Sequence, residues 1–140
     1  IGKGLIGPDA LREQINAQSY QASNDSWQPS SSWSAASVAT VPCVPWATRA
    51  VVMVGGTIAP RYDVNQAAGW CYGRLQCGSN YSPQMMSMMG SADVPAAIMW
   101  PFYLSSLGQY FTVSTDARLA SGGALTGGYA AVSAVVLWMR

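Results

Sequence analysis

The segment from Gly127 to Arg140, GGYAAVSAVVLWMR, is apolar in both alternate sets of a two-residue period. Tyr129, Ala131, Ser133, Val135, Leu137 and Met139 fall on one side of an extended strand, and Ala130, Val132, Ala134, Val136 and Trp138 on the other. A strand that needs cover on both faces has few places to sit. It lies centrally in a sheet held between layers, or it rests one face on its own core and the other on a second subunit. Left in solvent, the run from Ala130 to Trp138 is a long apolar patch of the kind monomers rarely keep. Small side chains at Ala130 and Ala134 permit close approach. Whichever face turns away from the core is expected between subunits, about a threefold axis. The set from Tyr129 to Met139, with its tolerable Ser133, could be that outer face, but Ala130, Val132, Ala134, Val136 and Trp138 are the chosen interface, and Val132→Asp is then expected to give folded monomers or insoluble protein.

Strand-like patterning continues upstream. TRAVVMVGGTIA (Thr48 to Ala59) reads as a buried strand in which Gly55 and Gly56 mark a bulge or bend. GWCYGRLQC (Gly69 to Cys77) reads as a mixed strand closed by the turn GSN. AAIMWPFYLS (Ala96 to Ser105) is another, pushed to an edge or bulge by Pro101. YFTVSTDARL (Tyr110 to Leu119) alternates most cleanly, with Phe111, Val113, Ala117 and Leu119 inward and Thr112, Ser114, Asp116 and Arg118 outward. Repeated strands with Gly-rich turns and no helix between them imply an all-β domain, an antiparallel β-sandwich over residues 38–140.

The first 37 residues are expected to differ. In residues 1–20 the only helical signal of the chain sets Pro8 at a first helical position, Asp9 in the first turn, and Leu11 and Ile15 four apart. Such a short helix needs a partner. It either meets other helices about an axis as a neck, with Leu11 and Ile15 at the seam, or lies on its own domain. Residues 21–37 read as a Ser-rich linker interrupted by Pro29. Trp27 and Trp33 within it are too apolar to leave in water, so they dock on the sandwich or on a neighbour.

Composition narrows function more by exclusion. Only 9% of the 140 residues are charged, against roughly 25% in a typical soluble domain. A net charge of +1 offers no basic footprint for nucleic acid, and no run reaches the roughly 18–20 apolar residues of a helical membrane span. The poorly charged surface suits a subunit of an assembly. Beginning on Ile1, the chain reads as processed, trimmed or a piece of a longer product.

With no histidine, Ser-His-Asp and Cys-His catalysis and histidine-ligated metals are excluded. Asp9, Glu13, Asp25, Asp63, Asp93 and Asp116 are scattered singly and read as solvated or turn-capping carboxylates rather than a glycosidase pair. Asp63 and Asn65 lack the dense oxygen spacing of a calcium loop. The glycine clusters are turns, not phosphate loops. No enzyme activity, metal or cofactor is therefore expected.

Cys71 and Cys77 on one strand would share a face about 20 Å apart at roughly 3.3 Å per residue, beyond disulfide reach. A turn at Gly73 would be needed to join them, while Cys43 is free to pair with either; buried free thiols and a single disulfide both stay open. Met85, Met86, Met88 and Met89 read as gap-fillers in a core or interface, or as an adaptable binding surface. Trp70, Tyr72 and Tyr81 are candidate ligand contacts if the domain stacks aromatic rings on sugars.

The strand and turn LGQYFTVSTDARLASGG, followed by GGYAAVSAVVLWMR, resembles the distal β-sandwich domains of tailed-bacteriophage fibre and receptor-binding proteins, which are similar to jelly rolls of the tumour-necrosis-factor-like type. The opening IGKGLIGPDALREQI looks like the neck that joins a fibre shaft to its tip. The resemblance implies a non-enzymatic virion structural protein, a homotrimeric tail-fibre or fibre-tip subunit that mediates assembly and host attachment. Its implied partners are further copies of itself, other tail proteins, and a host-surface glycan or protein; its implied location is an extracellular tail appendage. A carbohydrate-binding β-sandwich module, and a subunit of an extracellular filament assembled by strand exchange, are the alternatives.

Overall fold

The computed structural model describes the backbone of residues 15–25, 30–62, 70–88, 96–121 and 125–140, with the side chains of all of these except 15, 16, 60–62, 70, 85–88, 120, 121 and 125–127. The described residues form β1 (Ile15–Asn24), β2 (Ser34–Pro42), β3 (Arg49–Tyr62), β4 (Trp70–Cys77), β5 (Asn80–Tyr81), β6 (Met85–Met88), β7 (Ala96–Leu104), β8 (Tyr110–Ser121) and β9 (Leu125–Met139). The first sheet has the order β1-β9-β3-β7 and the second β2-β8-β4-β5, with β6 also on β4. β6 faces Trp70 to Gly73 and β5 faces Gln76 and Cys77, so the two short strands share one flank of β4. Every pairing is antiparallel. The fold is an all-β antiparallel sandwich of two sheets, as the strand pattern predicts.

The period of two assigns each side chain to a face. From the first sheet, Ala130, Val132, Ala134, Val136 and Trp138 of β9 and Ala50, Val52, Val54 and Ile58 of β3 point inward and are buried. From the second, Val41, Leu75, Cys77, Phe111 and Val113 meet them in one continuous core, while Ile58, Cys71, Ala117 and Ala130 form a smaller cluster with Ala36. At the centre of the main cluster the Trp138 ring stands edge-on to Phe111, centroids 6.1 Å apart. Its indole N–H donates to Gln18 Oε1 of β1 at 3.1 Å, which keeps a fully buried donor satisfied.

At Gly56 the two sheets come close together. A Cβ there would overlap Leu75 Cδ2 and Thr115 Oγ1 of the opposite sheet. Thr115, itself fully buried, donates its hydroxyl across the sandwich to the Ala131 carbonyl at 2.8 Å. Gly56 thus marks a close approach between sheets and the pair is not the expected bulge: β3 keeps regular register with β9 through both glycines, and shifts only between Pro60 and Tyr62. Gly78, at φ 60°, turns β4 into β5 as glycine does at the first position of a II′ hairpin, where GSN was expected to turn. Pro101 lies on the edge strand β7, where a missing N–H is tolerated.

Three expectations are corrected by these elements. Ala130, Val132, Ala134, Val136 and Trp138 do not face a second subunit; their side chains, from the small alanines to the large Trp138 ring, fill the space between the sheets of one chain. A charge at Val132 therefore enters the core, and Val132→Asp is expected to unfold the chain rather than dissociate it. Residues 15–20, placed in a helical arm, form an extended strand paired with β9 from Ile15–Met139 to Asn24–Ala130. The segment 21–37 is not wholly a linker, since it supplies the end of β1 and the start of β2. Leu11 and the rest of the helical expectation lie outside the described residues, as does Trp27.

Candidate functional site

With one side of β9 committed to the core, its other side faces outward beside the outer residues of β1, β3 and β7. Register places these in rows across the first sheet. Ala17, Leu137, Val51 and Tyr103 form one row, and Ser19, Val135, Met53 and Pro101 the next. Gln21, Ser133, Gly55 and Met99 form a third, and Ser23, Ala131, Thr57 and Ala97 a fourth. The first two rows and Met99 make an apolar block that water reaches: Val135 is 52% exposed, Met53 40%, Tyr103 54% and Met99 69%. None of the four rows contains a charged residue; Arg49 stands at their end. The last two rows hold only short side chains near their middle, and an open groove of about 800 Å³ crosses the sheet there, edged by Gln21, Thr57, Met99 and Tyr129.

The outer face of the second sheet has another character. Tyr72, Arg74 and Gln76 project from β4 on the side opposite Cys71, Leu75 and Cys77. β8 places Asp116 directly opposite Arg74 and Arg118 opposite Tyr72. Trp33, just before β2, folds over both arginines, its ring centroid 4.3 Å from the Arg74 guanidinium carbon and 5.3 Å from that of Arg118. Tyr81 lies 3.8 Å from Arg74 and Tyr72 4.7 Å from Arg118. Rings and guanidinium groups thus alternate as Tyr81, Arg74, Trp33, Arg118, Tyr72, each cation against the negative face of an aromatic ring. Asp116 accepts a 2.7 Å hydrogen bond from Ser114 Oγ and lies 3.5 Å from Arg74 Nε. The ladder buries Ser114 and Asp116 although both sit on the sheet's outer side.

Of the candidate ligand contacts, Tyr72 and Tyr81 are therefore brought together on one face, with Arg74, Arg118 and Trp33, which the sequence reading had not assigned to a site. Trp70 belongs to the same strand by its backbone, opposite Ser121 and Met88, and its side chain lies outside the described residues. Ile15 pairs with Met139 by its backbone alone, and Leu11 is undescribed. Trp33 docks on its own sandwich, one of the two outcomes open to it. Sequence carries only fragments of the ladder, with Tyr72 and Arg74 two apart on one strand and Asp116 and Arg118 two apart on another, and nothing in it brings Trp33 and Tyr81 to them.

All three cysteines are free thiols. Cys71 and Cys77 share the inner side of β4, as their spacing predicts, and burial pushes their pKa up to about 11 and about 12; at Cys71 a backbone hydrogen bond from Arg118 offsets part of the rise. Partly buried Cys43 is raised by the same cause. High-pKa thiols are poor nucleophiles, and these behave as small apolar fillers. No protein-family model matches this chain, and no curated protein matches it.

Proposed function

We propose that this chain is a non-enzymatic structural subunit of an extracellular assembly, a homotrimeric tail-fibre or fibre-tip protein of a tailed bacteriophage that mediates assembly and host attachment. The observation that carries this reading is the uncharged, apolar outer face of the β1-β9-β3-β7 sheet. A contiguous exposed block of Val135, Met53, Tyr103 and Met99 marks an interaction surface in a chain that carries so little charge. The same sheet of neighbouring copies, brought together about a threefold axis, is the occupant of matching chemistry, with side chains entering the groove at Gly55 and Ser133. The strand orders β1-β9-β3-β7 and β2-β8-β4-β5 support a jelly-roll topology, with β5 and β6 taken as one interrupted strand. That topology is common in virion proteins and lectins, and by itself it assigns neither role.

The test replaces Val135, on the exposed side of β9, and measures native mass by light scattering. The wild-type chain is expected to be a trimer, and Val135→Asp a monomer with a thermal midpoint above the subunit transition left intact. A wild-type monomer at micromolar concentration, or a Val135→Asp variant of unchanged mass, refutes the interface. A second reading, a filament subunit assembled by strand exchange, draws on β1: it is the first strand described, it lies at a sheet edge, and its partner β9 would accept the same strand from a neighbour.

A further inference from the structure

We propose that the arginine ladder on the outer face of the second sheet is a binding site for a carboxylated saccharide, with the acid group held by Arg74 and Arg118 and the sugar ring laid against Tyr81. This gives a ligand class to the attachment half of the reading above and depends on that reading only for its biological purpose. Three observations converge on it.

The first is charge. Arg74 approaches a single carboxylate, Asp116, and among the described residues no ion pair forms at Arg118. The site keeps an excess positive charge within a chain of net charge only +1. The second is unused hydrogen-bonding capacity. Nε of Arg74 and Nε of Arg118 are both buried without a hydrogen-bond acceptor, and the 3.5 Å approach of Asp116 is the only ion pair at either group. Stacking occupies the flat faces of a guanidinium and leaves its donors, which lie in the plane, still to be satisfied. A cation with unfilled donors in partly dry surroundings attracts an anion more strongly than a solvated arginine does.

The third is shape. Tyr81 is 51% exposed and the Arg74 side chain 20%, so the ladder opens to solvent at that end. A carboxylate fits the planar fork of a guanidinium, and the partly positive C–H face of a sugar ring suits the negative face of an exposed tyrosine. An acid carried on a pyranose ring uses both features at once. A polyanion uses neither well, because the described residues provide no basic track beyond this pair.

Titration of the full chain by calorimetry or NMR, at about 0.15 M salt, separates the possibilities. Methyl glucuronide is the acidic probe, methyl glucoside its neutral counterpart, and acetate the bare acid. Glucuronide is expected to bind at least about tenfold more tightly than either, with shifts confined to Trp33, Tyr72, Arg74, Tyr81 and Arg118. Arg118→Gln is expected to abolish binding and Tyr81→Ala to weaken it about fivefold or more, both with subunit mass and melting temperature unchanged. Equal affinity for glucuronide and glucoside, equal affinity for glucuronide and acetate, or no binding of any probe overturns the proposal. So does full affinity in Arg118→Gln. If Arg118→Gln fails to fold, the comparison of the three probes on the wild-type chain decides alone. Because binding is read at whatever subunit number the chain adopts, its loss leaves the assembly reading standing, and the converse also holds.

Discussion

A single absent side chain lets the two sheets pack closely at one point. At Gly56 a methyl group would enter space held by Leu75 and the Thr115 hydroxyl, so Gly56→Ala is expected to cost about 1–3 kcal/mol by overpacking. At the adjacent Gly55 a Cβ would meet only Ser133 Oγ, at 3.2 Å on the outer side, and Gly55→Ala is expected to stay within about 1 kcal/mol of wild type. Urea unfolding of the two variants distinguishes a close approach, which separates them, from a flexible bend, which would penalise both alike. The GG pair itself was legible in the sequence. Its meaning was not, because a bulge and an inter-sheet contact call for the same missing Cβ, and only the opposite sheet decides between them. The buried thiols bear on stability with a definite sign. Folding raises the Cys71 and Cys77 pKa from an ordinary 9.0 to about 11 and about 12, so their contribution is whole below pH 9. Above it the unfolded chain releases protons that the folded chain retains, and stability falls until the pH passes the folded values. Unfolding free energy is expected to decline between pH 9 and pH 11, and less steeply in Cys77→Ala; a flat profile contradicts the burial of these thiols.

At the scale of elements, β1 and β9 show what patterning can and cannot reveal. β9 is recognisable as a central strand because both of its sides are apolar, but alternation alone does not say which side faces the core. Ser133 was the better guide: the inner set, Ala130, Val132, Ala134, Val136 and Trp138, holds no hydroxyl, and the set that reaches water holds Ser133 and Tyr129. β1 was harder to see. Its sequence INAQSYQASN has one β-branched residue, and the preceding Pro8, Asp9 and Leu11 suggest a helix running on to Ile15. Its strand state comes from tertiary pairing along the whole of β9, with Gln18 accepting hydrogen bonds from both Trp138 and Tyr20. A chain beginning at Ile15 is therefore expected to keep the sandwich. A chain beginning at Asp25 leaves β9 as a bare edge and strands the Trp138 donor, and is expected to be insoluble or to lose about 3 kcal/mol or more. Circular dichroism and urea melts of the two truncations check this, and native mass of the first also reports whether residues 1–14 hold subunits together.

Across the whole molecule, pairings join strands far apart in the chain. β1 pairs with β9, β2 with β8 and β3 with β7 and β9, so loop closure must precede most of the contacts that stabilise the fold. Refolding followed by the fluorescence of buried Trp138 is expected to take on the order of milliseconds to seconds or longer, and a microsecond phase carrying the full amplitude would contradict this topology. The sandwich class was readable at this scale because strand patterning and glycine turns recur along the chain. The aromatic ladder was not, since its rungs come from β4, β5, β8 and the approach to β2 and meet only once the second sheet has closed. The central position of β9 has a further consequence during synthesis. Of the strands described, it is the last to leave the ribosome, and it is the one that β1 and β3 both pair with. Until it emerges, those two strands hold open edges and the inner faces of both sheets lack their cover. A translation product broken off before Tyr129 would therefore display the exposed apolar strands that chaperones and proteases recognise.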